Sequence, residues 1–315
     1  MANPVFLFSG QGAQRPGMCA DLLDLPEVAQ TLACASDVLG YDVAALILSA
    51  PAEKLNDTRF AQPAMCALSV GIAHALVARG VAPSAVLGFS LGQVSALAVS
   101  GMLSDEQTFA FVGERARLMA EAAASHAGVM SAFLKGTEQE VREVCELCAE
   151  GEVLVPANFN SAGQIVVSGA PAAVERAEQA WAAAGKRAKR LATSGAFHSP
   201  LMEDAARGID SYLAEVEFAE PKVPLICNVD ALPLTAADAR EHLVRQVTSP
   251  VLFQQSVEAL VADGASDFVE VGYGKVLYNL VKRIDGDVER SYVQDLGSFD
   301  GVVAAYGADS TDNKE

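Results

Sequence analysis

Ala85-Val-Leu-Gly-Phe-Ser-Leu-Gly-Gln-Val-Ser-Ala-Leu-Ala98 is the stretch from which the rest of the chain is best read. Ala85 to Leu87 is apolar and reads as the end of a buried strand. Gly88-Phe-Ser-Leu-Gly92 is a G-x-S-x-G pentapeptide, and an alanine-rich, helix-favouring segment follows at once. Strand, tight turn and helix, in that order, are what a nucleophile elbow requires. A serine exposed at such a turn sits in strained backbone, so only small residues fit two positions to either side. Gly88 and Gly92 meet that demand. The start of the helix aims free N–H groups and a positive dipole end at the place where an oxyanion would form. The plainer alternative is a glycine-rich strand-to-helix turn with an idle serine.

The 315 residues suffice for a sizeable core and one or two domains. The start, Met1-Ala-Asn-Pro4, has neither a basic segment nor a long apolar one, so no signal peptide is expected. No apolar run reaches the length of a membrane span; residues 68–82 come closest and are interrupted by His74 and Arg79. Six cysteines at 19, 34, 66, 145, 148 and 227 form no disulfide framework and read as reduced thiols of a cytoplasmic protein. Cys145 and Cys148 make a C-x-x-C, but on a helical pattern without a second pair, so semi-buried thiols are expected rather than zinc or redox chemistry. The net charge of −18 argues against nucleic acid and anionic membranes as partners. Any acidic partner would need a local basic patch.

Along the chain, Val5–Phe8 reads as a buried strand followed by the glycine-rich loop Ser9-Gly-Gln-Gly-Ala-Gln14. That loop is neither a P-loop nor a dinucleotide fingerprint. A loop leaving the first strand is, however, where a serine acyl enzyme finds its second oxyanion donor. Helices are expected over 17–50, with breaks, over 64–79, and over Asp105–Ala124 behind a Ser104 cap. Between 128 and 192 the pattern becomes β-α-β-β-α-β: Val129–Leu134, Glu138–Ala149, Val153–Asn158, Gln164–Ser168, Ala172–Ala184 and Ala188–Thr193. That is the order of a ferredoxin-like unit. The fold expected is therefore α/β, an α/β-hydrolase-like core with a parallel sheet (1–127 and 193–306) interrupted by a ferredoxin-like small domain (128–192). A helix over Leu201–Val216, a strand over Pro224–Val229, a helix over Phe253–Ala262, a strand over Asp267–Val271 and a last helix after Lys275 complete it. Residues 307–315 are polar and read as a disordered tail.

A serine needs a base. Of four histidines, His74 lies in an apolar helix, His126 at a domain junction and His242 on a polar helix. His198, in the constrained loop Gly195-Ala-Phe-His-Ser-Pro200, is the best candidate, although a loop histidine without a role fits the spacing equally well. Arg115 by itself reads as a solvated helix charge, with Arg117 an equal contender for any anion.

At this point the sequence resembles the malonyl-CoA:acyl carrier protein transacylases of fatty acid synthesis and the acyltransferase domains of polyketide synthases. The motifs that carry the resemblance are Phe8-Ser-Gly-Gln-Gly-Ala-Gln14, Thr58-Arg-Phe-Ala-Gln-Pro63, Gly88–Gly92, Gly113-Glu-Arg-Ala-Arg-Leu-Met119, Asn158-Phe-Asn-Ser161, Gly195-Ala-Phe-His198, Leu243-Val-Arg-Gln246 and Glu270-Val-Gly-Tyr-Gly-Lys-Val-Leu277. The resemblance covers nearly the whole chain, from Phe6 to about Lys282. The resemblance implies Ser90 as acylated nucleophile and His198 as general base and acid. It implies the backbone carbonyl of Gln246 as the group that orients His198, and the N–H groups of Gln11 and Leu91 as oxyanion hole. Arg115 becomes the ligand of the malonyl carboxylate, since a guanidinium matches a carboxylate bidentately. Phe89, Met119, Asn160 and Phe197 become the acyl pocket. Three positions depart from the family's usual residues: Phe89 for histidine, Gln93 for glutamate and Ser9 for proline.

The partners so implied are malonyl-CoA and acyl carrier protein, with no nucleic acid, no membrane, no metal and no cofactor, in a monomer. Carrier proteins are acidic. Lys186, Arg187, Lys189 and Arg190 form the densest cationic run and are the first candidate for docking; Lys275, Lys282 and Arg283 are a second. The alternatives are a polyketide-type acyltransferase with another acyl-CoA donor, an acyl-thioester hydrolase, and a silent carrier-protein-binding module.

Overall fold

The computed structural model describes residues 3–307. The tail expected at 307–315 therefore lies, from residue 308 on, outside the described residues. Strand β1 (Val5–Phe8) is buried at every position, as an apolar run in a sheet covered on both faces must be. Helices α1 (Pro26–Leu39), α2 (Val43–Ser49), α3 (Ala52–Asn56) and α4 (Thr58–Ala78) lead to β2 (Ala85–Gly88). Then come α5 (Gly92–Val99) and α6 (Asp105–Ser125). Ser104 accepts from the Gln107 amide at 3.2 Å and its own amide donates to the Gln107 side chain at 3.0 Å, a reciprocal cap that fixes the start of α6.

The next six elements are β3 (Val129–Leu134), α7 (Glu138–Ala149), β4 (Leu154–Ser161), β5 (Gln164–Gly169), α8 (Pro171–Ala183) and β6 (Arg187–Arg190). After them run α9 (Glu203–Leu213), β7 (Leu225–Ile226), α10 (Ala239–Gln246), α11 (Phe253–Ala262), β8 (Asp267–Val271), α12 (Val276–Ile284), β9 (Glu289–Val293) and α13 (Leu296–Tyr306).

Five strands pair in parallel in the order β7-β2-β1-β8-β9. The register sets Phe8 beside both Gly88 and Val271. The carboxyl ends of the three central strands are thus level, and the loops after them share one edge, where open α/β sheets bind their ligands. The second sheet is antiparallel, β4-β5-β3-β6, the ferredoxin-like order. One face packs on α7 and α8 through Phe133, Val141, Val167 and Trp181, while Met130, Ala132 and Val166 on the other join the main core. Val141, Cys145 and Cys148 form the buried stripe of α7. The C-x-x-C is thus core packing, and burial pushes the Cys145 thiol up to about 12.

Helix α4 begins six residues before the expected 64, because Asp57 accepts from the Arg59 amide at 2.9 Å and caps it. Pro63 sits inside the helix and costs only the bond to Arg59 of the first turn. At 21 residues α4 is long and apolar enough to cross a membrane, contrary to the run-length expectation, but 83% of its most apolar window is buried inside this protein. Strand β6 ends at Arg190 rather than at 193, and β7 is two residues long. The expectation of a last helix after Lys275 is corrected: β9 and α13 follow it.

Candidate active site

Ser90 has φ of 53°, left-handed backbone that a non-glycine residue adopts only under constraint. The close packing of the elbow imposes it. A Cβ on Gly88 would lie 1.9 Å from the Gln93 nitrogen, and one on Gly92 would lie 1.9 Å from the Phe8 carbonyl oxygen. Side-chain amides from two distant segments then hold the turn. The Ser90 N–H donates to Asn228 Oδ1 at 2.9 Å, and Asn228 Nδ2 donates to the Gly88 carbonyl at 2.6 Å. Gln246 Nε2 donates to the Ser90 carbonyl at 2.9 Å and to Asn228 Oδ1 at 3.1 Å. Gln93 Oε1 accepts from the Asn228 amide at 2.8 Å. Thus Gln93, where the family usually has glutamate, keeps a hydrogen bond to the loop that pins the serine.

His198 also has a left-handed backbone, with φ of 58°, and is buried. Its Nδ1–H donates to the Gln246 carbonyl at 2.8 Å, which leaves Nε2 to accept from Ser90 Oγ–H at 2.6 Å. Burial, and then the positive charge of Arg115, push the imidazole down to about 4. His198 is neutral at physiological pH and available as a base. A carbonyl in the place of a carboxylate orients the ring without adding a charge that would raise it.

Arg115 is 1% exposed. Its Nη1 donates to Gln62 Oε1 at 2.6 Å and its Nη2 to Gln246 Oε1 at 3.0 Å, and its buried Nε has no partner. Among the described residues no carboxylate pairs with it, and burial pushes the guanidinium down to about 10. Arg117 differs because the helical period turns it outward: it is 48% exposed and forms ion pairs with Glu114 at 2.6 Å and Glu121 at 2.7 Å. Gln62 stood in a resemblance motif without a role, Asn228 carried no signal in the sequence, and only the main chain of Gln246 was assigned a role. Each matters through partners 53, 138 and 156 residues away.

Among the described residues neither the Leu91 nor the Gln11 amide donates a hydrogen bond. Leu91 lies at the start of α5 beside Ser90. The loop carrying Gln11 rests on the elbow because Gly10 has no side chain; a Cβ there would lie 2.7 Å from the Phe89 carbonyl oxygen. Gln11 Nε2 donates to Thr58 Oγ1 at 3.1 Å. Ser9, where the family usually has proline, donates to Glu270 Oε1 at 2.6 Å, and Glu270 also accepts from the amides of Val276 and Tyr278. Burial raises the Glu270 carboxyl, and these donors oppose the rise.

The four expected pocket residues are placed differently. Met119 is buried, with Gln62 Nε2 3.5 Å from its sulfur. Phe197 is buried and precedes His198. Asn160 lies on β4 with a buried Oδ1 that has no hydrogen-bond partner. The Phe89 ring packs edge-on against Phe253 at 5.5 Å, towards α11. A groove of about 620 Å³ opens between α4 and α6, lined in part by Asp57, Thr58, Arg59, Arg117, Glu121 and Ser194. Thr58, bonded to Gln11, forms its boundary with the site.

Of the expected docking residues, Lys186 is tied to Glu140 at 2.6 Å and Arg190 to Glu178 at 2.6 Å. Arg187 and Lys189 pair in register with Leu134 and Ala132 and are exposed on strand β6.

Known proteins resemble this chain over nearly its whole length. The acyl transferase domain model matches residues 5–291. The malonyl CoA-acyl carrier protein transacylase of Escherichia coli strain K12 is 42% identical over 288 residues, covering 90% of this chain and 93% of that protein. The crystal structure of a malonyl-CoA:acyl carrier protein transacylase from Xanthomonas oryzae superposes with a TM-score of 0.94 at 38% identity, covering 98% of this chain and 99% of that one. A malonyl-transacylase in complex with its type II PKS acyl-carrier protein superposes with a TM-score of 0.93 at 39% identity, covering 96% and 100%.

Proposed function

From the premise that this chain belongs to the acyl transferase domain family, among its malonyl-CoA:acyl carrier protein transacylases, we infer a ping-pong reaction through Ser90. The protein transfers malonyl from malonyl-CoA to acyl carrier protein and so supplies fatty acid synthesis. The observation that carries the mechanism is the 2.6 Å contact between Ser90 Oγ and a neutral His198 Nε2.

In this reading His198 Nε2 takes the hydroxyl proton as Ser90 Oγ attacks the thioester carbonyl. The N–H groups of Leu91 and Gln11 receive the oxyanion; losing one such donor typically costs about 3–4 kcal/mol. Collapse breaks the C–S bond, and His198 returns the proton to the departing CoA thiolate. The carrier protein's phosphopantetheine thiol then gives its proton to His198 and attacks the malonyl ester, and Ser90 leaves with that proton. Arg115, lacking an acid partner, binds the free malonyl carboxylate. Truncating one member of such a buried pair costs about 2–5 kcal/mol, roughly 30- to 5000-fold. Met119, Phe197, Asn160 and Phe89 remain the proposed acyl pocket.

Residues 128–192 are proposed as an inserted unit in a catalytic domain of 1–127 and 193–306, a division supported by the small sheet's own helix-facing core. A cytoplasmic setting is part of this reading, supported by six unpaired cysteines.

Intact-protein mass spectrometry after brief exposure to malonyl-CoA or acetyl-CoA tests the reading. One malonyl adduct is expected, absent in Ser90→Ala and not matched with acetyl-CoA. In Arg115→Ala the preference for malonyl should collapse by the factor above. Release of CoA without an adduct would instead indicate hydrolysis, and an adduct persisting in Ser90→Ala would remove the serine from the mechanism.

A further inference from the structure

We propose that Cys227, Asp230 and His242 form a site for a zinc-class divalent cation that clamps helix α10 to the turn after β7. The Cys227 sulfur, an Asp230 carboxylate oxygen and a His242 ring nitrogen lie within 4.8 Å of one another. A thiolate, an imidazole and a carboxylate are the donor types that zinc takes in tetrahedral sites, with water at an open fourth position. The C-x-x-D spacing followed by a distant histidine places two ligands on one turn and the third on a helix, as zinc sites commonly do.

Each donor is already held by a second group. Asp230 Oδ1 accepts from the Leu232 amide at 3.1 Å, which leaves Oδ2 facing His242 Nε2 at 2.8 Å. His242 Nδ1 lies 2.9 Å from the Asp238 carbonyl, a bond that fixes the ring and turns Nε2 towards Asp230. Without a metal a proton bridges Nε2 and Oδ2 at their hydrogen-bond distance of 2.8 Å, and a cation would bind by displacing it. The Val229 amide donates to the Cys227 sulfur at 3.5 Å, an arrangement that favours a thiolate. The turn is tight: the Ala231 amide donates to the Cys227 carbonyl at 3.0 Å, and Ala231 has φ of 60°. Burial pushes the free Cys227 thiol up to about 11, so the cation must take the place of its proton.

The clamp would lie outside the reaction but next to its supports. The turn contains Asn228, which holds the Ser90 amide, and α10 ends in Gln246, which holds His198. A cation bridging Cys227 and Asp230 to His242 joins the two segments that fix nucleophile and base.

Cobalt(II), a spectroscopic substitute for zinc, tests this on the full chain after chelator treatment. One equivalent is expected to give thiolate-to-cobalt charge transfer and the visible bands of four-coordinate geometry, both abolished by zinc. Cys227→Ser should lose the charge transfer, His242→Ala and Asp230→Asn should weaken cobalt binding more than about 10-fold, and Cys145→Ser should change nothing. Zinc should raise the thermal midpoint of the unmodified protein and of Cys145→Ser, but not of His242→Ala. Asp230→Asn, a change at a half-exposed side chain, keeps the test open if Cys227→Ser does not fold. Absence of the charge-transfer band, or its survival in Cys227→Ser, would overturn the proposal, as would unchanged affinity in both Asp230→Asn and His242→Ala.

Discussion

Arg115 and His198 share one electrostatic problem. Among the described residues the guanidinium has two glutamine carbonyls as hydrogen-bond partners, and its charge is one of the two causes that hold the imidazole low. The folded His198 protonates near 4 rather than near its ordinary 6.5, so as pH falls the base is lost later than a solvent-exposed histidine would be. The rate at which a serine-directed sulfonyl fluoride inactivates the enzyme should therefore hold from neutral pH to about 5 and halve near 4. In Arg115→Ala the midpoint should move upward, because a positive neighbour is gone. An inflection near 6.5 in the unmodified enzyme would contradict the burial argument. Of this site, Ser90 and its glycines were readable from local spacing. His198 was readable only as the best of four, and Arg115 was distinguished from Arg117 only by family resemblance. Gln62 stood in a resemblance motif without a role and Asn228 could not be read at all, since an amide side chain becomes functional only through what the fold brings to it.

At the scale of elements, the elbow is specified by what cannot fit. Gly92→Ala would place a methyl against the Phe8 carbonyl, which is fixed by a central strand on each side, and neither element can yield cheaply. Loss of folded protein, or a large fall in the thermal midpoint, is expected. Gly286→Ala, with nothing within 4 Å and no positive φ, should be neutral or stabilising by about 0.4–1 kcal/mol. Equal effects from the two substitutions would contradict the steric account. The elements that escaped sequence reading share a cause. Strand β9, Glu289-Arg-Ser-Tyr-Val293, buries only its last residue because it lies at the sheet edge, so it offers no apolar run. Helix α13 contains Gly297 and Gly301, which mask its pattern, and its cap pairs Asp295 with Ser298 instead of the usual glutamate or glutamine. The start of α4 was hidden by Pro63, a residue that normally ends or opens a helix. Where periodicity was strong, as in β3, α7, α11 and β8, the expected and observed bounds coincide.

For the whole molecule, a charge of −18 must still meet an acidic carrier protein. Of the cationic run before His198, Lys186 and Arg190 are occupied by glutamates of α7 and α8, which leaves Arg187 and Lys189 as the pair proposed to contact a partner. Reversing both to glutamate should raise KM for carrier protein several-fold at low salt, and less as salt screens the field. Acylation by malonyl-CoA should be unaffected; unchanged kinetics with both substrates would move docking elsewhere, with Lys275, Lys282 and Arg283 next in line. The register of the main sheet has a consequence in time as well as in space. Val5 pairs with Phe268, so the strand at the centre of the sheet leaves the ribosome 263 residues before one of its two neighbours. At the usual pace of synthesis that interval is roughly 13–53 s. Throughout it one edge of β1 has no partner, although the Ser90 turn is translated well before the interval ends. The nascent chain therefore carries an open strand edge for that interval, and the sheet that holds the site closes only once Phe268 has emerged.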